Sequence, residues 1–389
     1  MTQATRIIVA EDLSDLGPAD ELLDRPTNGF YTSRPWLSVC ADISATAQRY
    51  FVASADARPI TVVPWSLPTG EAINTAYRPQ AWYPWREPEP YLLLAQGHGY
   101  RTAWAGEPDA GTAGAVFETA VRLAAEQGRP WVYALHLTAA TADAIVAGVR
   151  ADTPVLPTLS ALPDCFLPAP GECVEDYLDT VGSRRKVKFN NERKRALGLP
   201  GIRFRPARLA DEVSALAPLL RHAVARHGSA RTEEGLAAEL AALSRHAAEH
   251  EVLVVVEEDG KPVGFALWYE WNGRLWARNL ALDERFRTTA TPVLFYLMFR
   301  RALEICYERG LDGVHLGPTN LAAKLRRGAR LEPLWHISVC HGQEVLRPAN
   351  ARRTIDHVVG MITEDCGPYA PSEDLALMRE KAFGYVEAF

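Results

Sequence analysis

The stretch from residue 251 to residue 309 constrains the fold more than any other part of the chain. Three apolar runs, 251–257, 262–270 and 274–282, are separated by Glu258-Asp259-Gly260-Lys261 and Trp271-Asn272-Gly273. Asn-Gly is the strongest short hairpin signal, because both residues tolerate the positive φ of a tight turn. The runs predict three consecutive antiparallel strands. A helix is predicted next over 292–309, with Thr291 as its cap, Pro292 in its first turn and Gly310 at its stop. Val293, Leu294, Leu297, Met298, Ala302 and Ile305 form its apolar face. A short strand (313–316), a short helix (320–327) and a last strand (334–340) complete the series.

The first half carries a looser version of the same order. It is predicted to open on a helix ending near Leu23, with a short helix over 34–42. Strands follow over 49–54, 59–65 and 91–95, then a helix over 115–127 stopped by Gly128 and Pro130. A strand over 131–137 and a helix over 142–149 end it. The segment 153–172 holds five prolines and reads as a linker. The expected division is one unit over 1–165, a second over 166–345, and a tail over 346–389 with a terminal helix after Ser372. A length of 389 residues accommodates two domains at roughly 100–200 residues each.

Composition excludes several classes. With 48% hydrophobic and 23% charged residues, wholesale disorder is excluded. No run approaches the roughly 18–20 apolar residues of a membrane-spanning helix. The N-terminal apolar patch runs straight into acids and does not read as a signal peptide. The six cysteines are scattered without a CxxC, so a reduced, cytoplasmic protein without a structural metal is expected.

A net charge of −6 argues against a cationic coat for nucleic acid, but it conceals a polarity. Residues 183–208 hold ten Lys/Arg against one acid, Glu192. On a helix starting at Ser183 and ending before Gly198, Arg184, Lys188 and Arg195 share a face, flanked by Arg185 and Lys186. Such a run is either a solvated face or, because it repels itself, the seat of a polyanion.

This order of elements resembles the GNAT acyltransferase fold, and two units in tandem resemble the Fem-type aminoacyltransferases and their peptidoglycan- and cellulose-biosynthesis-like relatives. The resemblance covers roughly residues 28–340. It rests on Gly29-Phe30-Tyr31-Thr32-Ser33-Arg34-Pro35-Trp36-Leu37, on Ser183-Arg184-Arg185-Lys186-Val187-Lys188-Phe189-Asn190, and on Arg309 to Gly317 followed by Lys324-Leu325-Arg326-Arg327-Gly328-Ala329. The fold class it implies is α+β, two tandem GNAT-like units, each a mixed sheet flanked by helices, with a C-terminal helical tail. Residues 211–250 offer two ordinary helices where Fem ligases of the cell wall carry a long coiled coil. A small-molecule or peptide amine is therefore the expected acceptor.

Acyl transfer to an amine needs a positioned carbonyl, a stabilised oxyanion and a proton acceptor, and requires no metal. Coenzyme-A-using GNAT enzymes resemble each other in a Gly-rich loop after the fourth strand. The equivalent stretch here, 282–292, has no glycine, and Pro292 removes one N–H. Arg285, Arg287, Thr288 and Thr289 remain there as candidate phosphate or substrate ligands. By the resemblance, Lys324 points into the acceptor site, with Arg327 close to it at i+3. His315 either faces the cleft as a proton acceptor or is a core histidine. Arg278 and Asn279 lie mid-strand on opposite faces, where one can line the cleft. Tyr296 is a candidate general acid. Tyr83, Trp85 and Arg86 sit in a proline-held aromatic segment suited to stacking on a ring or base, or to packing.

Three functions are open on these residues. The first is a Fem-like aminoacyltransferase in specialised metabolism, with aminoacyl-tRNA as donor and no cofactor. The second is an N-acyltransferase using acyl-CoA or an acyl-carrier-protein thioester, and the third a non-catalytic protein that binds an anionic ligand.

Overall fold

A computed structural model describes residues 5–25, 29–68, 90–106, 108–149, 155–159, 163–287, 292–340 and 348–387. The chain forms two units. The first comprises Met1–Asp164, Pro318–Ala322 and Leu331–Phe389, and the second Cys165–Gly317 and Ala323–Arg330.

In the first unit Arg6–Ala10, Arg49–Ala55, Arg58–Trp65 and Ala105–Gly106 form one antiparallel sheet, in that order. The expected opening helix is replaced by the strand Arg6–Ala10 and 3-10 turns over Leu13–Leu22. Ile7, Ile8 and Val9 explain the strand, since β-branched and bulky side chains pack well on a pleated surface. Gly17 and Pro18 keep the turns from becoming an α-helix. A second sheet has the order Tyr91–Leu93, Trp131–Leu137, Trp335–Cys340, Val155–Leu159. Helices Ala110–Glu126 and Ala139–Gly148, and the C-terminal helices Pro348–Cys366 and Ser372–Glu387, belong to the same unit.

Two expectations are corrected by this pairing. The strand 334–340 was expected to close the second unit, and 346–389 to be a separate tail. Instead Trp335–Cys340 pairs antiparallel with Trp131–Leu137 on one side and Val155–Leu159 on the other. Trp335, Ile337 and Val339 are buried there. The proline-rich stretch is likewise no plain linker. It contains the strands Val155–Leu159 and Asp164–Pro168. Pro157 is tolerated because its strand lies at a sheet edge, where one row of N–H groups has no ladder partner.

The second unit is built on a seven-stranded sheet of order Arg330–Glu332, Asp164–Pro168, Gly313–His315, Arg274–Leu282, Lys261–Trp271, Glu251–Glu258, Ile202–Ala207. The expected three-strand meander is its centre. Asn272 and Gly273 both have positive φ, as a two-residue hairpin turn demands. Helices Leu209–Ala225 and Glu233–His246 lie between the strands Ile202–Ala207 and Glu251–Glu258. The helix predicted over 292–309 begins at Val293 but is widened into a π-helix over Tyr296–Arg301 before resuming as Ala302–Arg309. Gly313, at φ +151, has no room for a Cβ, which would run into the Leu167 carbonyl. Only glycine lets these two strands approach. Both units are mixed sheets with flanking helices, and among the described residues no helix is long and apolar enough to cross a membrane.

Candidate functional site

The second unit holds a break in its sheet. Strand Arg274–Leu282 faces Lys261–Trp271 in register at both ends, but Asn279 opposes Leu267 while Ala277 opposes Trp268. Arg278 is therefore an extra residue, a β-bulge that bends the strand and re-aims its groups. On the other side, the parallel partner Gly313–His315 is registered at two positions, Leu275 with Val314 and Trp276 with His315. Beyond them Ala277, Arg278, Asn279 and Leu280 are half-exposed in mid-strand. A parallel pair that stops this early leaves a cleft along a strand whose backbone can bond a ligand.

Asn279 carries an unpaired acceptor beside this bulge. Its Oδ1 is buried and has no hydrogen-bond partner among the described residues. Buried polar atoms are nearly always paired, so an orphaned acceptor beside a bulge marks a place for a donor N–H or O–H. Arg278 has a different fate. Its Nη2 donates to Glu239 Oε1 at 2.6 Å, and Arg231 holds the other oxygen of the same carboxylate. Glu239 is 1% exposed on helix Glu233–His246. Burial alone would raise its carboxyl; the Arg278 and Arg231 guanidiniums reverse this and hold it at about 2. Sequence reasoning missed Glu239. The available signal was an acid inside the stripe Leu236, Leu240, Leu243, all of them buried.

His315 is fully buried and stacked on Trp276, with ring centroids 3.9 Å apart and planes at 18°. Its Nε2 lies 3.3 Å from Arg274 Nη1, and Phe166 packs at 5.0 Å. Tyr296 lies at the start of the π-helix against Phe204, its hydroxyl 3.3 Å from Glu304. Burial, and then Glu304, push its phenol up to about 12, so it keeps its proton at neutral pH.

Three residues expected to bind substrate are instead committed inside the fold. Arg278 is held by Glu239, as above. Lys324 is 2% exposed and its Nζ donates to the Gly317 carbonyl at 2.6 Å. Arg327 is equally buried. Its Nη2 donates to Glu192 at 2.7 Å and its Nη1 to the Ala323 carbonyl at 2.9 Å. The Phe295 and Phe299 rings cover its guanidinium at 3.9 and 4.6 Å. The physical reason is common to Lys324 and Arg327: a cation this buried persists only when the protein supplies its hydrogen-bond partners.

The basic helix is Ser183–Leu197, ended by Gly198. Phe189, Glu192 and Ala196 form its buried face; Arg184 and Arg195 are exposed, and Arg185 and Lys188 half-buried. Its other ion pairs include Lys186 with Asp179, Lys188 with Glu192 at 3.8 Å and Arg193 with Glu304 at 3.1 Å. Arg184 and Arg185 have no ion-pair partner among the described residues.

After the bulged strand, Asp283 caps a 3-10 turn, and Arg285 is paired with Asp283 and Glu258 rather than standing free for phosphate. Arg287 is half-buried at the last residue described before the gap. Thr288 and Thr289, and Tyr83, Trp85 and Arg86, lie outside the described residues. A groove of about 590 Å³ runs between helix Leu209–Ala225 and the strand's end, lined by Leu219, His222, Ala225, Arg226, Leu282, Asp283 and Glu284. Its two carboxylates are paired, Glu284 with Arg226 at 2.8 Å and Asp283 with Arg285 at 3.2 Å.

Residues 182–325 match the family model of the Acetyltransferase (GNAT) domain. The second unit is thus a GNAT unit, and the chain is an acyltransferase. Comparison with curated proteins gives no match. Solved structures share the tandem fold across most of the chain. A conserved protein of unknown function from Bacteroides thetaiotaomicron VPI-5482 is 13% identical with a TM-score of 0.56, covering 86% of this chain and 100% of that one. FemX is 11% identical with a TM-score of 0.56, covering 83% and 95%. The C-terminal domain of a candidate lysylphosphatidylglycerol synthetase from Agrobacterium fabrum is 11% identical with a TM-score of 0.53, covering 89% and 96%. At these identities the likeness is one of fold.

Proposed function

We propose that the protein is an aminoacyltransferase that takes its acyl group from aminoacyl-tRNA and passes it to the amine of a small molecule or peptide. The observation that carries this reading is the charge arrangement of the second unit. The unopposed cations Arg184 and Arg185 stand on the basic helix, while the acids Asp283 and Glu284 in the groove after the bulged strand are offset by Arg285 and Arg226. A polynucleotide backbone suits the helix. The names of two fold neighbours, FemX and the lysylphosphatidylglycerol synthetase domain, are consistent with aminoacyl transfer.

In the reaction the acceptor amine attacks the ester carbonyl, forming C–N and breaking C–O. The tRNA ribose oxygen leaves and gains a proton, and the amine loses one. No cofactor or metal is consumed. Asn279 Oδ1 accepts from a substrate N–H or O–H in the cleft. Asn279→Ala should therefore lower turnover at least tenfold while changing stability by less than about 1 kcal/mol, since it removes an acceptor that is already unsatisfied. Paired measurements of turnover and thermal unfolding check it; equal turnover would remove Asn279 from the site.

The donor is tested by supplying bulk aminoacyl-tRNA, acyl-CoA and an acyl-carrier-protein thioester side by side. Transfer abolished by RNase supports tRNA. Arg185→Ala with Lys188→Ala should then lower the slope of log K against log salt by about 1.4 to 1.8 in magnitude. The acetyltransferase family match favours the second reading, an N-acyltransferase using acyl-CoA; thermal stabilisation by coenzyme A and none by tRNA would establish it.

A further inference from the structure

Two cationic stretches far apart in sequence meet in the second unit. One is the basic helix Ser183–Leu197; the other is the turn 326–330, with Arg326, Arg327 and Arg330. The turn is seated firmly. The Tyr177 hydroxyl donates to the Arg327 carbonyl. Gly328 has φ +92, and a Cβ there would strike that hydroxyl and Val181 Cγ1, so no other residue fits.

This seating brings like charges together. Arg185 from the helix and Arg330 from the turn both act electrostatically on Tyr177. Lys188 lies beside Arg326 and Arg327. The acid in their midst is Glu192, already engaged by Arg327 at 2.7 Å and only 3.8 Å distant from Lys188 Nζ. Arg185 and Arg330 have no ion-pair partner among the described residues. Burial first, and then Arg327, push the Lys188 ammonium down, with Glu192 opposing them. Arg326 and Arg330 are exposed, and Arg185 and Lys188 half-exposed, so an external anion can reach all four.

We propose that the turn 326–330 and the basic helix form one preorganised phosphate-binding surface, contributed by Arg185, Lys188, Arg326 and Arg330, which takes the phosphodiester backbone of the donor tRNA. Arg327 and Glu192 are its internal support. The identity of the ligand rests on the tRNA-donor reading; the anion site does not. Two elements tied to each other through Arg327 and Glu192 meet an anion at a lower ordering cost than one solvated helix, because that cost is met within the fold.

The test uses the full chain with fluorescent deacylated bulk tRNA across a salt series, and pyrophosphate as a second probe by thermal shift. Arg326→Ala with Arg330→Ala should weaken tRNA binding about tenfold near 0.1 M salt and lower the salt slope by about 1.4 to 1.8 in magnitude. Arg122→Ala, an exposed arginine of the first unit, should change neither. If tRNA binds the double variant with unchanged slope, the turn is not part of the surface and the proposal falls, whatever the donor. If tRNA fails to bind the unaltered protein while pyrophosphate stabilises it and not the double variant, the surface stands as an anion site and the tRNA reading falls. No response to either probe overturns both.

Discussion

Glu239→Ala will destabilise the second unit by about 3–5 kcal/mol, because it strands the buried Arg278 guanidinium, only 14% exposed, without its counter-charge. At about 2–4 °C per kcal/mol for a domain of this size, the melting temperature should fall by roughly 10 °C or more. Replacing both partners, as Glu239→Leu with Arg278→Met, should recover much of the loss, since the penalty lies in the unpaired charge and not in the absent bridge. The pH dependence has a fixed sign. The carboxyl is lowered from 4.5 to about 2 in the fold, so its contribution is complete above 4.5 and is lost as pH falls through about 2. That contribution is about 3 kcal/mol. Urea unfolding of the three proteins at pH 7 and pH 3 checks both statements; a Glu239→Ala loss under about 1 kcal/mol would show that the triad holds nothing. The consequence for function follows from position. Arg278 is the bulged residue and Asn279 its neighbour, so loosening the Glu239 tether should lower turnover in the surviving folded fraction as well.

Much of this site was legible as residue type and not as geometry. Asn272-Gly273 and the alternating runs around it specify the meander locally, because turn chemistry and side-chain period agree. The basic helix was equally plain, from its charge density and its stop at Gly198. What the residues of a single segment cannot reveal is which distant partner they meet. Lys324 and Arg327 read as substrate ligands through the resemblance, and Arg278 as a mid-strand polar residue able to line the cleft; their partners Gly317, Glu192 and Glu239 are set by tertiary packing. The bulge at Arg278 is a register slip between two well-patterned strands, visible only once both are paired. The π-helix at Tyr296–Arg301 left no signal in an apolar face that fits ordinary α spacing.

The exchange of strands was illegible for the same reason, and it yields the other large expectation. Trp335–Cys340 has the pattern of a buried strand whichever sheet receives it, so only the fold assigns it to the first unit. A chain ended after Pro333 should leave that unit unfolded. The strand lies inside its sheet, between Trp131–Leu137 and Val155–Leu159, and its loss opens two edges at once. It also removes Trp335, Ile337 and Val339 from the core, at about 1.5–3 kcal/mol each, against a total stability of about 5–15 kcal/mol for a typical domain. The reciprocal fragment, residues 170–330, lacks Asp164–Pro168, whose Leu167 pairs with Val314 and whose Cys165 and Leu167 are fully buried. It should not fold either. Ile337→Asp in the full chain probes the same contact without truncation, by placing an unpaired charge in a fully buried position. Near-UV circular dichroism and urea titration of all three decide the matter. A cooperative transition in fragment 170–330 would mean that the second unit stands without its strand Asp164–Pro168. If instead both fragments are unfolded alone, each unit needs its full set of strands, and the first completes its sheet with Trp335–Cys340, which the chain delivers only after the second unit's stretch of sequence.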